Sequence, residues 1–211
     1  PRTGDQLRAA ARSGPVLVHV FSDGCRYAGE LDCVTGVIPG DDPRELWLTA
    51  HLYEPLADDN SAGVVGSIEA ARLIRRFIAQ GTLAQPHFTL RLIFTAEMYG
   101  FAAYASRVGV PLRDRVLGAI NYDSLAIKQA ATLCLAPAAA PFFGDYLLEE
   151  LMAEHHRSNL PPAITLREQG MYGDDVFLND PMIGVSATWL LGSWDFWHNS
   201  AQTIDIIKPE S

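Results

Sequence analysis

Two rhythms of apolar and polar positions run along the chain. Short stretches rich in β-branched and aromatic residues predict strands over Pro15–Phe21, Leu31–Ile38, Glu45–His51, His87–Ala96, Val116–Asp123, Ala163–Glu168 and Ile183–Leu191. Thr132–Pro141 begins as another strand and is broken by its prolines. Apolar residues at helical spacing predict helices over Asp5–Arg12, Ser61–Gln80, Phe101–Val108 and Phe142–His156. The longest is Ser61–Gln80, preceded by Asp59 and Asn60 as candidate caps. The turn at Pro39–Pro43, PGDDP, predicts a hairpin between the strands on either side, and the tail HNSAQTIDIIKPES a short terminal helix.

Alternating helices and strands imply an α/β fold: three layers, α/β/α, around a mixed, mostly parallel central sheet, with the first hairpin adding antiparallel strands at one edge. The whole of residues 1–211 reads as one domain, and its start at proline rather than methionine suits a trimmed piece of a longer chain.

Charge narrows the partners. A net charge of −9 and a pI near 5.0 argue against nucleic acid and anionic membranes, which select basic patches. No apolar run has the roughly 18 residues of a membrane span, and the opening PRTGDQLRAAARSG lacks the apolar core of a signal peptide, so the chain reads as soluble. Small molecules or peptides are the expected partners. Three cysteines, Cys25, Cys33 and Cys134, without a CxxC pair suit a reducing compartment, although Cys25 and Cys33 remain free to pair in principle.

Candidate chemistry collects where the strands end. In parallel sheets ligands bind beyond the carboxyl ends of the strands. His51 closes one strand, Glu97 follows the next, Asp123 ends a third, and His198 lies in the loop after the last. Asp59, eight positions after His51, opens the long helix, where the N-terminus favours a carboxylate. A histidine and carboxylates converging on one rim are what a hydrolytic zinc site requires. Each residue also has a plainer reading: Asp59 as a helix cap, Glu97 as a solvated residue, His198 as one member of an aromatic cluster with Trp194, Phe196 and Trp197.

The strings HLYEPLADDNSAGVVGSIEAARLI, LRLIFTAEMYGFAAYASRVG, GAINYDSLA and WHNSAQTID, in this order, resemble the zinc aminopeptidases, a family of co-catalytic exopeptidases related to glutaminyl cyclases and glutamate carboxypeptidases. The resemblance covers roughly Gly36–Asp205. It implies that His51 and Asp123 bind one metal, that Asp59 bridges two, and that His198 binds the second. It makes Glu97 the general base that takes a proton from metal-bound water, with a peptide or small amide as substrate. Asp174 or Asp175 in YGDDVF matches a segment lining the pocket in the family. Tyr172 is then a candidate for stabilising the oxyanion, and Trp197 and Asp195 are candidates for contacting substrate.

Two departures qualify this picture. The aspartate that in the family orients the first histidine is replaced by Tyr53, and the second acid of the usual pair after Glu97 is Met98, whose thioether is a poor zinc ligand. The expectation is one firmly held Zn²⁺, with the second weak or absent. Two alternatives to an aminopeptidase follow: a catalytically impaired domain that binds a peptide or amino-acid derivative, and a single-zinc amide cyclase or hydrolase.

Overall fold

Residues 2–109, 112–126, 130–138, 141–159, 163–167, 173–192 and 196–208 are described in a computed structural model, and the chain divides into two compact units, Pro1–Glu30 and Leu31–Ser211. The first unit contains helix α1 (Arg2–Ser13) and then irregular chain. The strand predicted over Pro15–Phe21 does not form, and Leu17, Val20 and Phe21 are exposed. Strand propensity expresses the fit of a side chain to a pleated, half-buried surface, and a run that no neighbouring strand pairs has no such surface.

The second unit is built on a seven-stranded sheet: β1 (Val34–Ile38), β2 (Asp42–Leu52), β3 (Phe88–Ala96), β4 (Val116–Asp123), β5 (Ala130–Cys134), β6 (Ala163–Arg167) and β7 (Ala187–Leu191). Their spatial order is β1-β3-β2-β4-β7-β5-β6. Strands β3, β2, β4 and β7 run parallel, β1 is antiparallel to β3 at one edge, and β5 is antiparallel to β7 but parallel to β6. The predicted hairpin is therefore corrected. The PGDDP turn does reverse the chain, but β3 lies between β1 and β2 and pairs with both. Local turn chemistry specifies the reversal, whereas the long apolar strand β3 is the better partner for each.

Helices cover both faces: α2 (Ser61–Ala79), α3 (Tyr99–Val108), the short α4 (Leu112–Arg115), α5 (Phe143–Ser158) and the short α6 (Asp175–Leu178). Alternation along the strands sorts the core into two layers. Leu48, Ala50, Leu92 and Phe94 pack with Ala71, Val64, Ile74 and Ile78 of α2. Trp47, Ile93 and Ala119 point the other way, against Phe101 and Ala105 of α3, Leu112 of α4 and Leu178 of α6. The terminal helix is reduced to one 3₁₀ turn, Ile204–Ile206. No described helix is long and apolar enough to cross a membrane.

The end of the sheet away from the candidate site is pinned by charge. Glu45, 2% exposed, accepts hydrogen bonds from Arg91 of β3 (2.7 and 2.8 Å), Arg115 of α4 (2.7 and 3.2 Å) and the Trp47 indole (2.8 Å). Burial alone would raise the Glu45 carboxyl, but these donors hold it down from 4.5 to about 2. A carboxylate depressed in the folded state stabilises above its unfolded pKa, and that stabilisation is lost as pH falls through the folded one. Glu45→Gln should therefore cost on the order of 3 kcal/mol at pH 7, and the difference from wild type should shrink as pH falls from 4.5 toward 2. Urea unfolding of both proteins across that range measures it; a gap that does not change with pH would refute the assignment.

Candidate metal centre

The face that carries Trp47, Ile93 and Ala119 turns polar toward the carboxyl ends of the strands. With a period of two, Trp47 leads to Thr49 and His51, Ile93 to Thr95, and Ala119 to Asn121 and Asp123, and all of these side chains are buried. Parallel pairing places His51 beside Thr95, and Thr49 beside Asn121. An apolar strand face thus ends in a buried polar rim, where each group must be satisfied by another.

His51, 2% exposed, sits between two carboxylates. Its Nδ1 is 3.2 Å from Asp174 Oδ2, and its Nε2 is 3.1 Å from Asp59 Oδ1. A carboxylate can only accept, so Nδ1–H donates to Asp174, and the nearby Asn60 amide donates instead to Tyr122 O (2.9 Å). Burial lowers the imidazole's proton affinity, but Asp174 and Asp59 outweigh it and hold His51 up to about 11. The proton shared between Nε2 and Asp59 lies where a cation would bind, and a metal ion must displace it. Anchoring Nδ1–H at Asp174 leaves Nε2 as the ligating nitrogen.

The loop before α2 is held by hydrogen bonds to the end of β4 and to Gln202. Asn60 Oδ1 caps α2 at Gly63 N (3.0 Å) and accepts from Ser124 N (3.3 Å), which ties the helix start to the end of β4. A Cβ at Gly63 would stand 2.3 Å from Tyr122 O, so glycine is what lets α2 approach the strand end so closely. Gln202 Oε1 accepts from Asp59 N (2.9 Å) and Asp58 N (3.3 Å), joining this loop to the segment that carries His198. The Asp59–Asn60 peptide bond is cis.

His198 has a left-handed backbone (φ 49°) and stacks its ring on Trp197, with centroids 4.2 Å apart. Its Nε2 is 3.4 Å from Asp59 Oδ2 and 3.8 Å from Glu54 Oε1. Glu54 Oε2 is 4.0 Å from His51 Nε2 and is buried without a hydrogen bond among the described residues. Among the described residues, three sets of donor atoms, all within 4.8 Å of one another in each set, result: His51, Asp59 and Asp123; Glu54, Asp59 and His198; and His51, Glu54 and Glu97.

This much acid in one place is costly unless a cation accompanies it. Burial, with the charge of Asp59 beside them, pushes Asp123 and Glu54 up to about 7 and Asp58 up to about 6. Glu97 is also raised, first by burial and then by Asp174 and Asp59, against the pull of His51. Imidazole nitrogen and carboxylate oxygen are the donors zinc takes in hydrolytic sites. Donor atoms around one tetrahedral zinc, bonded at about 2.0–2.1 Å, stand about 3.3 Å apart, close to the 3.1 and 3.4 Å separations from Asp59 to the two histidines. The residues fit the ion.

The fold brings His51, Asp59, Asp123, Glu97 and His198 to one rim, as their positions in the sequence imply. Trp197 is half exposed against His198. Asp175 is wholly buried and accepts the Gly173 N–H (3.0 Å), so it braces its loop rather than facing open space. Tyr172, Asp195 and Trp194 lie outside the described residues. Two roles were missed. Asp174 supplies the carboxylate expected to be lacking at Tyr53, and also accepts Met98 N (2.8 Å) through its other oxygen. Tyr53 is exposed, with φ 74°, and accepts instead from Asp32 N. Glu54 stands three residues past His51, where an acid beside an incomplete ligand set was the available signal.

Solved structures with this fold include a zinc aminopeptidase from Bacillus subtilis (17% identity, TM-score 0.65), covering 84% of this chain and 45% of that one. An aminopeptidase from Aneurinibacillus sp. strain AM-1 (16% identity, TM-score 0.60) covers 99% and 52%. A glutaminyl cyclase from an Acidobacteriales bacterium (16% identity, TM-score 0.60) covers 86% and 68%. The chain thus spans about half the length of these aminopeptidases. No curated protein sequence matches it. The sequence model of peptidase family M28 matches residues 34–211, a stretch that holds every strand of the sheet and every donor at the rim, and the chain belongs to that family.

Proposed function

We propose that the chain is a zinc-dependent metallopeptidase-type hydrolase, an aminopeptidase that cleaves small peptides or amides with Glu97 as general base. The observation that carries this reading is the placement of Asp59, whose two oxygens face His51 and His198 while Glu97 adjoins His51 in the same cluster. His51, Asp59 and Asp123 would hold the primary zinc. Bound there, zinc polarises the scissile carbonyl and makes water acidic enough to serve as a nucleophile near neutral pH. Glu97 takes the proton from the attacking water and returns it to the leaving amine. Asp174 keeps His51 in one tautomer and orientation, and the half-exposed Trp197 offers an apolar wall to the substrate side chain.

Hydrolysis of aminoacyl-p-nitroanilides and dipeptides in the presence of Zn²⁺ or Co²⁺ tests the reading. Zinc binding without turnover of any amide would overturn it and favour the peptide-binding alternative, for which Met98 is the motivating residue. Cyclisation of an N-terminal glutaminyl peptide without peptide hydrolysis would instead favour the amide cyclase, the activity named for one structural neighbour.

A further inference from the structure

The second donor set differs from the expectation of a weak second metal. That expectation rested on Met98, which offers no carboxylate and whose N–H is bound to Asp174. A different acid stands at the place in question. Glu54 lies on the loop that leaves β2, and its Oε1 is 3.8 Å from His198 Nε2, which is itself 3.4 Å from Asp59 Oδ2. These separations exceed those of good hydrogen bonds, about 2.7–3.2 Å, so the three groups surround a common point rather than satisfying one another. Glu54 Oε2 is buried with no hydrogen-bond donor among the described residues, an unusual state for a carboxylate oxygen in a folded protein. The Asp59 carboxylate, 5% exposed, presents one oxygen to each histidine.

We propose that Glu54 is the third protein ligand of a second divalent cation, held with His198 and bridged through Asp59 to the first. One imidazole and two carboxylates then form a complete three-ligand set of the kind that leaves a zinc position open to substrate. The bridging carboxylate and its two histidines come from β2, the loop before α2 and the segment tied to it by Gln202.

The proposal rests on the zinc reading of the site above, and the test separates the two. The chelator-stripped chain is titrated with Co²⁺ and followed by visible d–d absorption, and zinc content is measured after dialysis against buffered Zn²⁺. Wild type should take up two equivalents. Glu54→Gln should retain one, with the second weakened at least tenfold, and His198→Gln, at a half-exposed loop position, should show the same selective loss. Circular dichroism checks that each variant is folded. A wild type that saturates at one equivalent, or a folded Glu54→Gln or His198→Gln that still binds two with unchanged affinity, overturns the role of Glu54. A wild type that binds none overturns the zinc reading itself.

Discussion

Glu97→Gln is expected to lower kcat for aminoacyl-p-nitroanilide hydrolysis by roughly 10²- to 10⁴-fold, the usual contribution of a positioned general base, while metal content stays unchanged. Glutamine has nearly the same shape and can still accept a hydrogen bond, but it cannot take a proton from water. Glu97 follows the last residue of β3 and is half-buried within a cluster that includes His51 and Glu54. Burial raises its proton affinity, as do Asp174 and Asp59, which suits a group that must accept a proton and then release it. If Glu97 were only a ligand, the variant would instead lose metal along with activity. The decisive pair of measurements is steady-state kinetics and elemental analysis on the same preparations. A variant within threefold of wild type in kcat would remove Glu97 from the mechanism.

Asp174→Asn should weaken binding of the first zinc by roughly 10- to 100-fold, the range typical of partners that orient a metal-binding histidine. The reason is a count of donors. Each Asp174 oxygen accepts one N–H, from His51 Nδ1 at 3.2 Å and Met98 N at 2.8 Å. Asparagine keeps a single carbonyl oxygen, so its amide NH₂ must face one of those two donors inside a fully buried site. Either the imidazole loses its anchor, freeing the ring to rotate or change tautomer, or the start of α3 loses its contact. Competition titrations against a chromophoric zinc chelator read the affinity, and thermal unfolding of the metal-free protein reads the buried mismatch. Unchanged affinity would show that His51 is oriented by something other than Asp174.

How much of this was legible beforehand depended on how far apart the interacting residues lie. The strand Val116–Asp123 and the start of the long helix at Ser61 appear where the pattern of apolar residues and caps puts them. The donors at strand ends were also legible, because a parallel sheet brings its carboxyl ends to one rim whatever the details of packing. Asp174 was not legible as the partner of His51, since the two are 123 residues apart and meet only when α6 docks beside β7 and α3. Glu54 was hidden for a different reason. Nothing in the spacing HLYE says that the chain turns after Leu52 so that the acid faces back toward His198.

By itself the sequence determined the alternation of elements, the polar ends of buried strands and the pair His51–Asp59, because these follow from local periodicity, caps and the direction of parallel strands. The tertiary structure alone decided that β3 inserts between β1 and β2, that the apolar run Pro15–Phe21 forms no strand, and that Asp174 and Glu54 complete the surroundings of the two histidines. Pairing partners and buried electrostatic contacts are selected by competition among distant segments for surface and for charge, and no short window of residues contains both sides of that competition.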